Sequence, residues 1–357
     1  MVMKQTMLRS RPYVDHYNRL SSGVRVNQWD MRYDDLKQLP LHVPPIEEQR
    51  TIARFLDAQS RMISRVIRAK RRMIELLNEQ KQVIIHRAVS RGLDPNVRLK
   101  PSGPGLDWLD HVPAHLEATR LKYVAGIQTG ITLGKNYGSL PLEERPYLRV
   151  ANVQDGHLDL RQITTVRLPA PEASGSELQP GYVLMTEGGD IDKLGRGQVW
   201  NGEIPGCLHQ NHIFAVRADR SRLLPEYLVA LMTSRHGRCY FQLTAKQTTN
   251  LASTNSTTLK AFPIYRPDIE EQEALLNHVT RECAGLEAAV ARSRREIDLL
   301  REYRTRLIAD VVTGKLDVRG VELPVLDEAE TLEDVDTAES VDAPDLSETG
   351  EVGDADE

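Results

Sequence analysis

The sequence predicts an α+β chain in which a mostly-β domain with short helices lies between two long coiled-coil helices, followed by a disordered acidic tail. Three observations lead there. The run LKQLPLHVPPIEEQ at 36–49 returns as LKAFPIYRPDIEEQ at 259–272. Behind each copy follows a long stretch without proline, with apolar residues at heptad spacing. The residues between, 101–268, break up instead into short β-branched and apolar runs bounded by Gly, Asp and Pro, which is how strands read.

The repeat is longer than its most visible part. At a constant offset and without a gap, Leu36–Asp94 lies over Leu259–Asp317 with 18 identities among 59 positions, so the unit is duplicated. LPLHV and FPIYR read as brief strands. Pro44, Pro45 and Pro267 then delay the helix, because proline restricts both itself and the residue before it. From Ile46 onward about 45 residues can be helical, roughly 69 Å at 1.5 Å per residue. The apolar positions Leu56, Ile63, Ile67, Ile74, Leu77, Ile84 and Ala88 recur in the second copy as Val279, Leu286, Val290, Ile297, Leu300, Leu307 and Val311. Their 3.5-residue spacing marks a coiled-coil seam. Two seam positions are polar in both copies, Lys70/Ser293 and Lys81/Arg304. They are either tolerated or set the register at some cost in stability. Asp94-Pro95 and Gly314 end the two helices at corresponding places.

The net charge of −5 conceals two regions of opposite sign. From Val321 to the end the chain has 15 acidic residues and no basic one, and too little apolar content to repay the entropy of folding. Residues 1–320 hold 36 acids against 46 Lys and Arg, a body near +10 suited to a polyanion. The tail either solubilises the chain or competes with nucleic acid for that body. No apolar run is long enough to span a membrane, and the start lacks the apolar core of a secretory leader. Three cysteines without paired spacing fit a reduced, cytoplasmic setting.

Within 101–268, PYLRVANV, GYVLMTE, GQVWNGEI and HIFAVRA read as strands, and LPEYLVALMTSRHGRCYF as one helix with Leu228, Leu231 and Met232 on its apolar face. The loops QTGITLGKN, EGGDIDKLGRG, CLHQNH and AKQTTNLASTNSTT are rich in amide, hydroxyl and basic side chains. Asn and Gln can pair with adenine edges, Arg and Lys with guanine. The candidate DNA contacts are therefore Arg149, Asn152, Gln154, Lys193, Arg196, Gln210, Asn211, His212, Lys246, Gln247, Thr248, Thr249 and Asn250.

Catalytic readings are weaker. GITLGKN has one residue too few between its glycines for a phosphate loop, and no Ser or Thr follows Lys135. Cys207, His209 and His212 have no evident fourth zinc ligand. Glu187, Asp190 and Asp192 stand between glycines without a nuclease-like lysine, and no dinucleotide motif opens a helix. No catalytic residue, metal or cofactor is expected in this chain.

The repeated P-[L/I]-x-x-P-x-IEEQ run and the helix behind it, together with Pro146–Val153, Leu184–Asp190, Cys207–His212 and Gln247–Ser253, resemble the specificity subunits of type I restriction–modification systems. The resemblance covers about residues 20–320. It implies two antiparallel helices that hold target-recognition domains apart, each domain reading half of a split double-stranded DNA sequence. It also implies methyltransferase subunits as partners, and through them the motor-nuclease subunit, with methyl donor, ATP and Mg on those partners. The implied domains are a remnant of a first recognition domain at 1–44, a helix and linker at 45–100, a recognition domain at 101–268, a second helix at 269–317 and the tail at 318–357. The 44 residues before the first helix match only the final part of such a domain. That suggests either an upstream start or a half-length subunit that pairs with a second copy. A self-standing DNA-binding or coiled-coil scaffold protein is the alternative.

Overall fold

The computed structural model describes residues 7–321 apart from 26–27, 40–42, 104–105, 107, 110, 192–193 and 248–251. The fold is α+β. Its helices, in chain order, are α1 (Arg11–Leu20), α2 (Tyr33–Lys37), α3 (Ile46–Arg91), α4 (Ala170–Ser176), α5 (Pro225–Thr233), α6 (Arg235–Thr244), α7 (Ser256–Ala261) and α8 (Ile269–Val312). Two compact units form, Met1–Leu77 with Ala288–Glu357, and Asn78–Glu287. The division runs through α3 and α8, whereas the boundaries expected at 100/101 and 268/269 fall inside the second unit. No helix among the described residues is long and apolar enough to cross a membrane.

In the first unit, α3 and α8 run antiparallel. Ile52, Phe55 and Leu56 pack with Leu307, Val311 and Val312, while Ile63, Ile67 and Ile74 pack with Ile297 and Leu300. Lys70 reaches across the seam to Glu296, and its hydrogen bond holds that carboxyl below the usual range. Ser293 is buried and turns its hydroxyl back onto Ala289 O (2.9 Å), so a polar seam residue is satisfied within its own helix. Before α3 stand α1, a hairpin of β1 (Ser22–Arg25) and β2 (Gln28–Asp30), and α2.

The second unit has a four-stranded antiparallel sheet in the order β13 (Gly197–Trp200), β11 (Tyr182–Thr186), β15 (Ile213–Ala218), β6 (Ala125–Thr129). Side chains alternate across a strand, and here both faces are covered. Val183, Met185, Phe214 and Val216 point into one core with Tyr227, Leu228 and Phe241; Leu184, Ile213 and Ala215 point into another with Trp200, Leu148 and Val153. That is why GYVLMTE and HIFAVRA read as continuous apolar runs. A second sheet joins β10 (Thr164–Leu168), β7 (Glu143–Leu148) and β14 (Leu208–His209), with β14 parallel to β7. Short pairs also form in this unit: β3 (Leu99–Pro101) with β4 (His111–Pro113), β5 (Glu117–Arg120) with β18 (Pro263–Arg266), and β8 (Val153–Gln154) with β9 (His157–Leu158). The expected strand FPIYR is β18; its counterpart LPLHV lies largely outside the described residues.

Two expectations need correction. The single helix over 224–241 is two, because Ser234 leaves the helix with extended backbone and anchors the corner by donating its hydroxyl to Leu231 O (2.7 Å). Gly237 is required beyond that corner, since a Cβ there would stand 2.1 Å from Met232 O. The seam also shifts. Ile84 is half-buried and lines a cleft of about 690 Å³ with Arg87, Arg91, His278 and Arg281. Ile85, Ala88 and Val89 instead join Leu275 in the sheet's core. A straight helix drifts about 20° per heptad, so three heptads beyond Ile63 carry the buried face to neighbouring positions. Leu77, Leu286 and Val290 are likewise half-buried.

The duplicated IEEQ run has one shared function and one difference. Gln49 donates to Pro44 O (2.8 Å), and Gln272, 223 positions on, donates to Pro267 O (3.0 Å). Each glutamine ties the first helical turn to the proline before it. Gln272 is fully buried; it also donates to Arg222 O (3.0 Å) and accepts from the Leu224 amide (2.9 Å). Gln272→Ala removes three hydrogen bonds to backbone, of whose groups Arg222 O keeps the Arg266 guanidinium (3.3 Å), and is expected to cost about 3 kcal/mol, whereas Gln49→Ala, losing one bond, costs about 1 kcal/mol; urea unfolding of each variant reads the difference.

His209 is fully buried at the end of β14, donates Nδ1–H to Ile213 O (2.9 Å) and leaves Nε2 without a partner. Burial pushes its pKa down to about 4. A histidine held neutral stabilises the fold fully above its ordinary pKa near 6.5 and loses that contribution as pH falls toward 4. Thermal melts between pH 7 and pH 4 are expected to show a loss approaching about 1.4 kcal/mol per pH unit from this group, flattened in His209→Gln.

Candidate nucleic-acid interface

The polar loops rest on backbone contacts that leave their side chains at the surface. Ile131 N donates to His209 O (2.8 Å) and Asn211 N donates to Ile131 O (3.1 Å), so the loop after β6 and the loop after β14 form one knot. Gly130 is required in it, since a Cβ would lie 2.2 Å from His209 O and 2.4 Å from Gln210 O. Gln210 N donates to Leu148 O (2.9 Å), and its Oε1 accepts from Val150 N (3.3 Å). Exposed Arg149 and half-exposed Gln210 and Asn211 therefore share this corner.

A second group assembles on a small three-stranded sheet in the order β12 (Gly188–Gly189), β17 (Ala252–Ser253), β16 (Lys246–Gln247). Lys246 and Gln247 are exposed on its outer strand. Beside its inner edge, Glu187 N donates to His212 O (2.8 Å), and the His212 ring pairs with the Glu187 carboxylate at 2.6 Å. Because Asn211 and His212 are adjacent in sequence, the two groups are continuous through the CLHQNH loop.

Asn152 is placed otherwise than expected. It is buried: its Oδ1 accepts from the Arg149 amide (2.8 Å), and its Nδ2 donates to Asp159 O (2.8 Å) and Gln162 O (3.0 Å). With its amide group engaged on all sides, it holds the 149–162 loop and has nothing left for a base. Gln154 is half-buried and bonds Ala151 O (2.7 Å), and Arg196 is half-buried with Nε enclosed. Lys193, Thr248, Thr249 and Asn250 lie outside the described residues, as does the acidic stretch beyond Val321.

Sequence pattern alone misses Arg238, which reaches from α6 to Asp155 (2.8 Å) and ties the β8–β9 hairpin to the helical face. No short-range motif signals a pair 83 residues apart. It also misses the pairing of Glu187 with His212, which can be seen only after the strands are registered.

The other chemical readings find their groups engaged elsewhere. Cys207 donates Sγ–H to Leu208 O, and burial pushes its thiol up to about 12. His209 and His212 face Ile213 O and Glu187 respectively, and no three His, Cys, Asp or Glu among the described residues are grouped to hold a metal. Lys135 of the glycine loop pairs with Glu172 at 2.7 Å, and the same hydrogen bond lowers the Glu172 pKa.

No protein-family model matches the chain. The EcoKI type I restriction enzyme specificity subunit of Escherichia coli K12 is 23% identical over 279 residues, covering 76% of this chain and 56% of that protein. The provisionally named MjaX type I restriction enzyme specificity subunit of Methanocaldococcus jannaschii is 23% identical over 169 residues, 47% of this chain and 39% of that protein. The chain thus spans about half the length of the curated relatives it matches, or less. Among solved structures, a chain from a study of complex assembly and conformational transition in the type I restriction–modification system aligns over 88% of this chain and 71% of its own, with TM-score 0.53 and 17% identity. In its duplicated helix starts and over most of its length, the chain is thus similar to the specificity subunits of type I restriction enzymes, and it shares the fold of a chain from a type I restriction–modification system.

Proposed function

We propose that this chain is the non-catalytic DNA sequence-recognition subunit of a type I restriction–modification complex. It reads one half of a bipartite target through residues 101–268 and holds methyltransferase subunits on its helix pair. Methyl donor, ATP and Mg²⁺ are bound by those partners and by the motor-nuclease subunit.

The observation that carries this reading is the shared core of the β module and the long helices. Ile85, Ala88 and Val89 of α3 and Leu275 of α8 pack in one cluster with Val183, Phe214 and Tyr227 of the module. Polar tips such as Gln210, Asn211, Lys246 and Gln247 are thereby carried on a firm base, as base-edge readout requires. A second apolar stripe supports the docking role. Met62, Val66, Met73 and Leu76 recur at intervals of four, seven and three along α3 and are exposed. Such a stripe suits a partner helix. Pairing of two copies through their long helices is part of the same proposal.

Affinity purification from the native host followed by native mass measurement tests the assembly. The expected species contains methyltransferase subunits and two copies of this chain, and the host genome carries methylation at a split motif. Recovery of the chain alone, with unmethylated sites, would favour the self-standing scaffold. At residue level, Gln247→Ala is expected to relax one position of the motif by about 1–3 kcal/mol while leaving the others selective, as read by binding to a panel of single-base variants.

A further inference from the structure

Arg54, Arg61, Arg65, Arg68 and Arg72 recur along α3 at intervals of seven, four, three and four residues. With 3.6 residues per turn this spacing lines them on one face, opposite the seam residues Ile63, Ile67 and Ile74. From Arg61 to Arg72 the helix has six basic residues and no acidic one. The one lysine among them, Lys70, faces the seam and pairs with Glu296, so the outer row is entirely arginine. Asp57 lies within the row, between Arg54 and Arg61, and is bonded to Arg61 (2.6 Å); Glu75 lies just beyond it, bonded to Arg72 (2.9 Å). In the same unit, residues 292–306 of α8 add six arginines against three acids. Of these, Arg292, Arg294 and Arg295 are exposed and have no ion pair within 4.0 Å among the described residues.

Arginines four apart repel one another, and the seam already supplies the packing. A straight row from Arg54 to Arg72 extends roughly 27 Å at 1.5 Å per residue, the length of about eight base pairs, and so matches a linear polyanion better than a compact acidic surface. Guanidinium forks suit phosphate oxygens, which accounts for arginine rather than lysine on the outer face.

We propose that the arginine row of α3 is a second DNA contact, blind to sequence, that grips duplex phosphates. The inference rests on the DNA-recognition reading above and adds that the helix which separates the half-sites also binds. It contributes affinity and counterion release without base choice.

The full-length chain, titrated onto a roughly 40-base-pair duplex of random sequence between about 50 and about 300 mM salt, gives the slope of log affinity against log salt. In R54Q/R65Q/R68Q that slope is expected to become shallower by about 2.7, which is about 0.9 for each of three phosphate contacts. R54K/R65K/R68K, which keeps the charge, is expected to retain it. Circular dichroism checks that the helix persists in both. An unchanged slope in the glutamine variant overturns the arginine row and leaves the recognition reading intact, and equal loss in the lysine variant overturns it in favour of a packing role. A wild-type chain that binds no duplex at any salt overturns both.

Discussion

A helix of 46 residues with a continuous apolar stripe has to share that stripe with something, and the rest of this structure follows from what it shares it with. In the first unit α3 packs against the other long helix of the same duplicated origin, through Ile63, Ile67 and Ile297. In the second it closes the core of the β module, through Ile85, Ala88 and Val89. The stripe is apolar enough to bind and polar enough to be selective. Lys70 with Glu296 and Lys81 with Glu287 (2.5 Å) place complementary charges along the seam, so a one-heptad slip would separate both pairs.

The β module solves a different problem, which is to hold polar side chains at fixed positions without burying them. It does so with main chain. The knot of Gly130, Ile131, His209 and Asn211 and the small sheet of Gly188, Ala252 and Gln247 are backbone constructions. Side chains that help, such as Asn152 and Arg238, act on loops from the inside. A polar residue in such a loop is thus of one of two kinds, holder or presenter, and sequence composition cannot separate them. Asn152 and Gln210 look alike in the sequence, and only one is enclosed.

The long helices and the principal strands were legible because hydrophobic periodicity reports burial directly, and the repeat was legible because a gapless offset preserved it. The seam was read too literally. A strict heptad places Ile84 in the seam, whereas the drift of a straight helix brings its neighbour Ile85 to the buried face. The corner at Ser234 is hidden within an uninterrupted helical pattern, with the serine's bond to Leu231 O and the close backbone approach at Gly237 visible only in the structure. The repeat also begins earlier than the offset shows. Ser10 donates to Met7 O and Ser234 to Leu231 O, each at 2.7 Å, and each serine precedes a helix that leads to a hairpin, a short helix and then a long one. The serines are 224 apart and the glutamines 223, so a single-residue slip conceals the older part of the duplication from any alignment without gaps.

The knot beneath the CLHQNH loop has a consequence for how such a module can change over time. Because main-chain bonds set the course of the loop, the identity of Asn211 is decoupled from its path, and new side chains can be tried there without a new fold, whereas Gln210 also holds the Val150 amide. Gly130 has no such latitude, as even a methyl group would collide with the carbonyls above it. Divergent descendants are thus free to acquire altered tastes at the loop tips while the hinge-pin glycine below stays invariant.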